Sequence, residues 1–207
     1  MIERFQLDRV DSTNLEARRR VERGLITSTA WITARTQSAG RGTHQRRWAS
    51  PRDAGLYATF IRVGAVSRPV TAEYTRAAGV ACVEAIAAAT GVSVRLKSIN
   101  DLCAGGGKVG GILTEAVVEA GVMKTLLIGV GINVLAAFRP VAKGALPAIA
   151  LADLRSPDDA AIDPAALESA VLNRLATWVR RVEEHGGCQS TEQAWMRHAV
   201  DPVARRV

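Results

Sequence analysis

The chain is poor in cysteine and aromatic residues, and it has no long apolar run, no histidine cluster and no repeated segment. Its three cysteines, Cys82, Cys103 and Cys188, are odd in number and widely separated. They suggest neither a disulfide framework nor a zinc site, and a reducing compartment fits best. No stretch approaches the roughly 20 apolar residues of a membrane span. The N-terminal MIERFQLDRV carries charges where a signal sequence would be apolar. A cytoplasmic protein is therefore expected. His44, His185 and His198 show no metal or relay spacing, and no serine sits in a nucleophile elbow, so zinc and serine-hydrolase chemistry gain no support. Aromatics make up 4% of the chain and do not interleave along a basic face, which leaves nucleic-acid binding resting on net charge alone.

What is present is the composition of a folded globular protein: 207 residues, 48% hydrophobic and 23% charged, enough for one domain of ordinary size. Twenty-seven basic against twenty acidic residues leave a net charge of 27 − 20 = +7, which biases the surface toward anionic partners without naming one.

Coarse patterning interleaves helices and strands. Asp11-Ser12-Thr13 can cap a helix from Asn14 to Arg23, which Gly24 stops. Runs at 29–33 and 56–62 read as strands, 72–90 is an Ala-rich helix ending at Gly91, and 92–97 alternates as a strand. Strands at 109–118 and 125–134 flank Glu119-Ala120-Gly121, a hairpin turn. Asp163-Pro164 opens a long helix with Leu167, Val171, Leu175, Val179 and Val182 at helical spacing, and a last helix starts at Ser190. The hairpin argues against a purely parallel sheet. The expected fold class is α+β: a mixed sheet with helices packed against it.

Four segments carry chemistry. The stretch from Gln37 to Trp48 combines Gly40 and Gly42 with Arg41, Arg46 and Arg47, a basic, aperiodic loop suited to a phosphate or carboxylate on a planar ligand; a merely solvated loop has about even odds on composition. Lys97, Asn100 and Asp101 place an ammonium, an amide and a carboxylate just past a strand end. Gly105 to Gly111 holds five glycines around Lys108, but the residue after Lys108 is Val109, so the phosphate-binding loop pattern G-x-x-x-x-G-K-[ST] fails. Gly129 to Asn133 ends a strand with two glycines and an amide, which on its own reads as a bulge or turn.

Together with Asp11-Ser12-Thr13-Asn14, these segments resemble, in order and spacing, the catalytic domain of the biotin protein ligases. The quoted residues are Asp11 to Asn14, Gln37 to Gly42 with Trp48 to Pro51, Asn100 to Leu102, Lys108 to Leu113 and Gly129 to Asn133, and the resemblance covers essentially the whole chain. It implies a largely antiparallel sheet like that of class II aminoacyl-tRNA synthetases. It also implies a reaction in two halves, in which biotin and ATP give biotinyl-5′-AMP and pyrophosphate, and an acceptor lysine then displaces AMP. ATP and Mg²⁺ are the implied cofactors, biotin the substrate, and the biotin acceptor domain of a carboxylase the implied protein partner. DNA and membranes are not expected partners, and a homodimer is left open.

By motif position the resemblance puts Ser12, Thr13, Asn14 and Gln37 around the biotin head, and Arg41, Gly42, Thr43, Lys108 and Gly111 at the carboxylate and phosphate. Arg46, Trp48, Asn100, Gly131 and Asn133 would face the adenylate. Arg41, Lys108 and Lys97 would offset developing negative charge, Asp101 would orient or deprotonate the acceptor lysine, and no residue is assigned to a metal. The chain departs from the family pattern at Thr43, where a further arginine is usual, and at Ser98-Ile99, where Trp-Pro is usual. Residues 1–200 are expected to form the catalytic domain and 201–207 the opening of an absent SH3-like barrel. Activation of lipoate or another acyl acid, and a degenerate biotin-binding module without turnover, are the alternative readings.

Overall fold

The computed structural model describes residues 2–66, 71–97, 99–120, 122–137, 146–185 and 188–200. Ser98, Gly121 and the segment 201–207 expected to open a barrel lie outside them. The chain runs β1 (Glu3–Leu7), α1 (Thr13–Glu22), β2 (Ala30–Ala34), β3 (Gly55–Val66), α2 (Thr71–Thr90), β4 (Arg95–Lys97), β5 (Asp101–Ala104), β6 (Gly107–Glu119), β7 (Val122–Asn133), α3 (Pro164–His185) and α4 (Cys188–His198).

The seven strands form one sheet in the order β1-β2-β3-β7-β6-β5-β4. Only β1 and β2 pair in parallel; every other neighbouring pair is antiparallel. The expected mixed, largely antiparallel sheet is thus what the sequence builds. Its long central ladder is the β6–β7 hairpin, closed where Glu119 pairs with Val122 and Ala120 adopts φ 49°.

Because strand side chains alternate between faces, consecutive residues on β2, β3 and β7 serve two different cores. Trp31, Phe60, Leu126 and Ile128 join the larger core, while Ile32, Ile61 and Leu127 join a smaller one with Ala17 and Ile26. Helices α2, α3 and α4 cover the first face, and α1 covers the second. This explains why all five residues of β2 are buried. Truncating Leu127 to alanine would open the smaller core, and such a change costs about 2–5 kcal/mol.

Helix α1 has little apolar surface; Ala17 is its fully buried anchor. Its local stability comes partly from Glu16, whose carboxylate accepts from Arg19 at 2.7 Å and Arg20 at 2.8 Å, pairs worth a few tenths of a kcal/mol each, about 0.3–0.5. Helix α3 starts as expected: the Asp163 carboxylate accepts from the Ala165 and Ala166 amides, and Pro164 occupies the first turn.

Several elements differ from the sequence expectation. The expected strand 92–97 is ordered as strand only over Arg95–Lys97, and α4 begins at Cys188 rather than Ser190. Strands β1 and β5 have no counterpart in the patterning. Strand β1 is an edge with a largely exposed surface, so it shows no apolar alternation, and its pairing partner β2 lies more than twenty residues away.

Candidate active site

A cleft of about 460 Å³, including space open to solvent, lies where the N-terminus of α1 meets β6, β7 and the loop 37–48. Of the residues singled out in the sequence, Ser12, Thr13, Asn14 and Gln37 line it on the α1 side. Arg41, Gly42, Thr43 and Trp48 line it from the loop, and Asn100, Lys108, Gly111 and Gly131 from the sheet. Five separate sequence segments therefore converge on one wall system.

Helix α1 aims its first turn at the cleft, and the N–H groups of that turn carry a partial positive charge. Ser12 occupies the N-cap position in an extended conformation, yet its hydroxyl makes no capping bond. Gln37 does that work: its Oε1 accepts from the Thr13 amide at 2.8 Å and the Thr13 hydroxyl at 3.2 Å. The Gln37 Nε2 donates to Ser50 Oγ at 2.8 Å. Asn14 is likewise engaged by protein at both ends of its amide. Its Oδ1 accepts from Thr59 Oγ1 at 2.6 Å, and its Nδ2 donates to the Leu113 carbonyl at 3.2 Å and to Glu115 at 2.9 Å. Gln37 and Asn14 thus hold the α1 end of the cleft in shape, while the Ser12 hydroxyl makes no such bond.

The loop is a narrow arm held by its own backbone. The Trp48 amide donates to the Gly40 carbonyl at 2.8 Å, Arg41 pairs with Arg47, and the Gly42 amide donates to the Arg46 carbonyl at 2.7 Å. At its tip His44 and Gln45 take positive φ, 54° and 58°, a conformation that costs non-glycine residues energy. Arg46 and Arg47 are exposed beside this tip. Trp48 reaches back into the cleft, packed so tightly on β7 that a Cβ on Gly131 would stand 2.6 Å from the indole. That contact is the reason a glycine is required there. The indole Nε1 is buried against β7 without a hydrogen-bond partner.

Lys108 is the central cation. Its ammonium donates to Asp101 Oδ1 at 2.5 Å and lies 5.6 Å from the centroid of the Trp48 ring. Strand register brings this about: β5 and β6 form a hairpin through Gly105 and Gly106, both at positive φ, with a shift in pairing between Leu102 and Cys103. Backbone bonds fix the strand on its other side, with the Lys108 amide donating to Pro147 at 2.7 Å and the Ile149 amide to Lys108 at 3.1 Å. An exposed lysine on a hairpin tip, the default reading of this glycine-rich stretch by itself, does not describe a side chain only 15% exposed and paired with a carboxylate.

Four nominated residues, Lys97, Arg46, Asn133 and Asp101, stand apart from the cleft walls. Lys97 lies half-buried at the end of β4, and Arg46 is exposed at the loop tip. Asn133 is buried, and its amide donates to the carbonyls of Ile149 at 3.2 Å and Lys108 at 3.5 Å, so it supports the strand that carries Lys108. Asp101 sits behind Lys108 as its partner. The sequence reading passed over Glu115, whose carboxylate meets both Arg41, at 3.3 Å, and Asn14. A signal was available: Glu115 is the one acid in the otherwise apolar and small-residue run from Val109 to Val118. Among the described residues no group of three or more His, Cys, Asp or Glu side chains is arranged to hold a metal ion. No helix of the described residues is long and apolar enough to cross a membrane.

Known proteins resemble this chain in sequence and in fold. Residues 7–133 match the Biotin/lipoate A/B protein ligase family. A Paracoccus denitrificans protein named Biotin--[acetyl-CoA-carboxylase] ligase is 32% identical over 212 aligned positions, covering 97% of this chain and 83% of that protein. The Bifunctional ligase/repressor BirA of Bacillus spizizenii is 37% identical over 103 residues, half of this chain and 32% of its own length. Among solved structures, the biotin protein ligase of Leishmania major in complex with biotinyl-5-AMP superposes with a TM-score of 0.72 at 22% identity, over 96% of this chain and 81% of that one. The Aquifex aeolicus ligase in complex with biotin and ATP gives 0.70 at 24% identity, over 89% and 73%. The structural likenesses establish the fold. The family match over residues 7–133 and the Paracoccus relative, aligned over 97% of this chain and 83% of its own length, place this chain in the biotin/lipoate A/B protein ligase family.

Proposed function

We propose that this chain is an ATP-dependent biotin protein ligase that forms biotinyl-5′-AMP and transfers biotin to a lysine of a carboxylase's acceptor domain. The observation that carries this reading is Lys108: a cation held in a cleft by Asp101 and faced by the Trp48 ring, in a cleft that Arg41 and the α1 N-terminus also line.

The first half-reaction joins two anions. A carboxylate oxygen of biotin attacks the α-phosphorus of ATP, the bond to the bridging oxygen breaks, and pyrophosphate leaves. Repulsion between carboxylate and phosphate must be offset before the bond can form, and charge on the phosphoryl oxygens must be stabilised as it does. Lys108 and Arg41 supply fixed positive charge, and the N-terminal end of α1 adds a partial one. Gly42, Thr43 and Gly111 let the ligand approach bare backbone beside them. The Ser12 hydroxyl would bond the ureido head of biotin, with Gln37, Thr13 and Asn14 acting by holding that end of the cleft. Trp48 and Asn100 would contact the adenylate. Mg²⁺ would enter with the phosphates as the MgATP substrate, whose own oxygens would provide most of its ligands.

In the second half-reaction the acceptor amine attacks the acyl carbon and AMP leaves. A free lysine has a pKa of about 10.4 and is mostly protonated near neutrality, so the ammonium must lose a proton to attack. Asp101, already bound to one ammonium, is the carboxylate placed to orient a second. Lys97 and Arg46 would act from outside the cleft, at the approach of the phosphates.

Incubation with biotin and MgATP, followed by measurement of pyrophosphate and biotinyl-AMP, tests the proposal directly. Biotin-dependent pyrophosphate release is expected. Binding of biotin with no pyrophosphate above background would point instead to a module without turnover. Faster turnover with lipoate or octanoate would assign the site to another acyl acid.

A further inference from the structure

We propose that Glu115 is a positioning residue for Arg41, fixing the loop arginine in the cleft from the rigid sheet. This rests on the reading of the cleft as the adenylate-forming site. The geometry is a continuous chain of side chains. Thr59, fully buried on β3, donates to Asn14 Oδ1; Asn14 donates to Glu115 Oε2; and Glu115 Oε1 meets Arg41 Nη1 at 3.3 Å. The chain begins in the core, passes through the first turn of α1 and ends on the loop.

Arg41 needs such an anchor. It lies on an arm whose base is tied to Val10 and Asp11 through the amides of Ser38 and Ala39 but whose backbone bonds from Gly40 onward run within the arm itself, and its side chain is 39% exposed, so rotamer freedom would otherwise spread its charge over a large volume. Glu115 is 19% exposed and has its second oxygen fixed by Asn14, so its carboxylate is already oriented when Arg41 meets it. A guanidinium presents five donors, and a contact through one nitrogen leaves the others for a ligand anion. Glu115 thus lends direction without saturating Arg41. It also lowers the net charge of the cleft by one, which moderates the attraction of unrelated anions.

Glu115→Gln separates the two functions of the carboxylate, because the carboxamide oxygen still accepts from Asn14 while the charge facing Arg41 is gone. In Glu115→Gln, kcat/KM for biotin-dependent pyrophosphate release is expected to fall about tenfold, with an unfolding midpoint close to wild type. In an Arg41→Met background the same substitution should cause little further loss, since the group it positions is absent. Equal losses in both backgrounds, or none in either, would overturn the proposal. Glu115→Asp, which keeps the charge but shortens its reach, should fall between. An activity-independent arm uses trypsin: cleavage within 41–47 should be faster in Glu115→Gln than in wild type, and equal rates would overturn the anchoring. Should the wild-type protein release no pyrophosphate, the ligase reading fails, while the proteolysis comparison still decides whether Glu115 holds the arm.

Discussion

Gln37 caps a helix that begins twenty-four residues earlier: its side-chain oxygen accepts from the amide of Thr13, at the first turn of α1. A residue at the start of the basic-loop segment thereby fixes the helix end beside which it lines the cleft. Gln37→Ala should lower stability by about 1 kcal/mol, the usual cost of a lost cap acceptor, seen as a lower urea midpoint at unchanged slope. A larger KM for biotin should accompany it, because the Thr13 end of the cleft loses its support. Unchanged stability would mean that the Ser12 hydroxyl takes over the cap.

Lys108→Ala should reduce pyrophosphate release by about 10²–10³, the range found when one preorganised charge-stabilising group is removed. Biotin binding by calorimetry should weaken far less, since the loss falls mainly on the developing phosphoryl charge. Near-normal turnover would refute the assignment.

Gly129→Ala should unfold the cleft from behind. A Cβ there would stand 2.5 Å from Asn14 Oδ1, in the place of the Thr59 hydrogen bond. Displacing Asn14 leaves the buried Thr59 hydroxyl without its partner, a loss of about 1–3 kcal/mol. Urea unfolding of this variant, with Thr59→Val as a companion, measures the effect; in the Thr59→Val background the alanine should cost less.

Asp11 gives a pH signature. Hydrogen bonds from Arg19 and from the Ser12 amide hold its carboxyl down at about 2, against 3.8 ordinarily. The folded value lies below the unfolded one, so its contribution is present above about pH 4 and disappears as pH falls through about 2. Both partners are more than a third exposed, which limits the contribution to about 1 kcal/mol or less. The stability difference between wild type and Asp11→Asn should therefore shrink between pH 4 and pH 2 and be flat above it. A constant difference across that range would show that the pair does not titrate with folding.

Much of the fold was legible from local pattern. The Ala-rich α2, the α3 stripe from Leu167 to Val182 and the β6–β7 hairpin are all long elements whose apolar spacing or turn chemistry is self-sufficient. Strand β1 was not, because Glu3 to Leu7 becomes a strand only by pairing with β2 and exposes most of its surface. Strand β5 was hidden for a similar reason: four residues between two motif segments carry too little periodicity to distinguish from a loop.

Residue order and type alone determined which groups the site would contain: two glycine-flanked cations at Arg41 and Lys108, an indole at Trp48, and small polar residues at 12–14. The division of labour among them was decided only by the tertiary structure. Asn14, Gln37 and Asn133 have the same amide chemistry in sequence whether they face ligand or protein; the packing of α1 against the sheet and the loop turns Asn14 and Gln37 inward, and the carbonyls of Ile149 and Lys108 do so for Asn133. Glu115 becomes a partner of Arg41 only because β6 passes beneath the arm. Hydrogen bonds and charge pairs act over a few ångströms, and the chain brings residues more than a hundred positions apart, such as Asn14 and Glu115, within that range only when it folds.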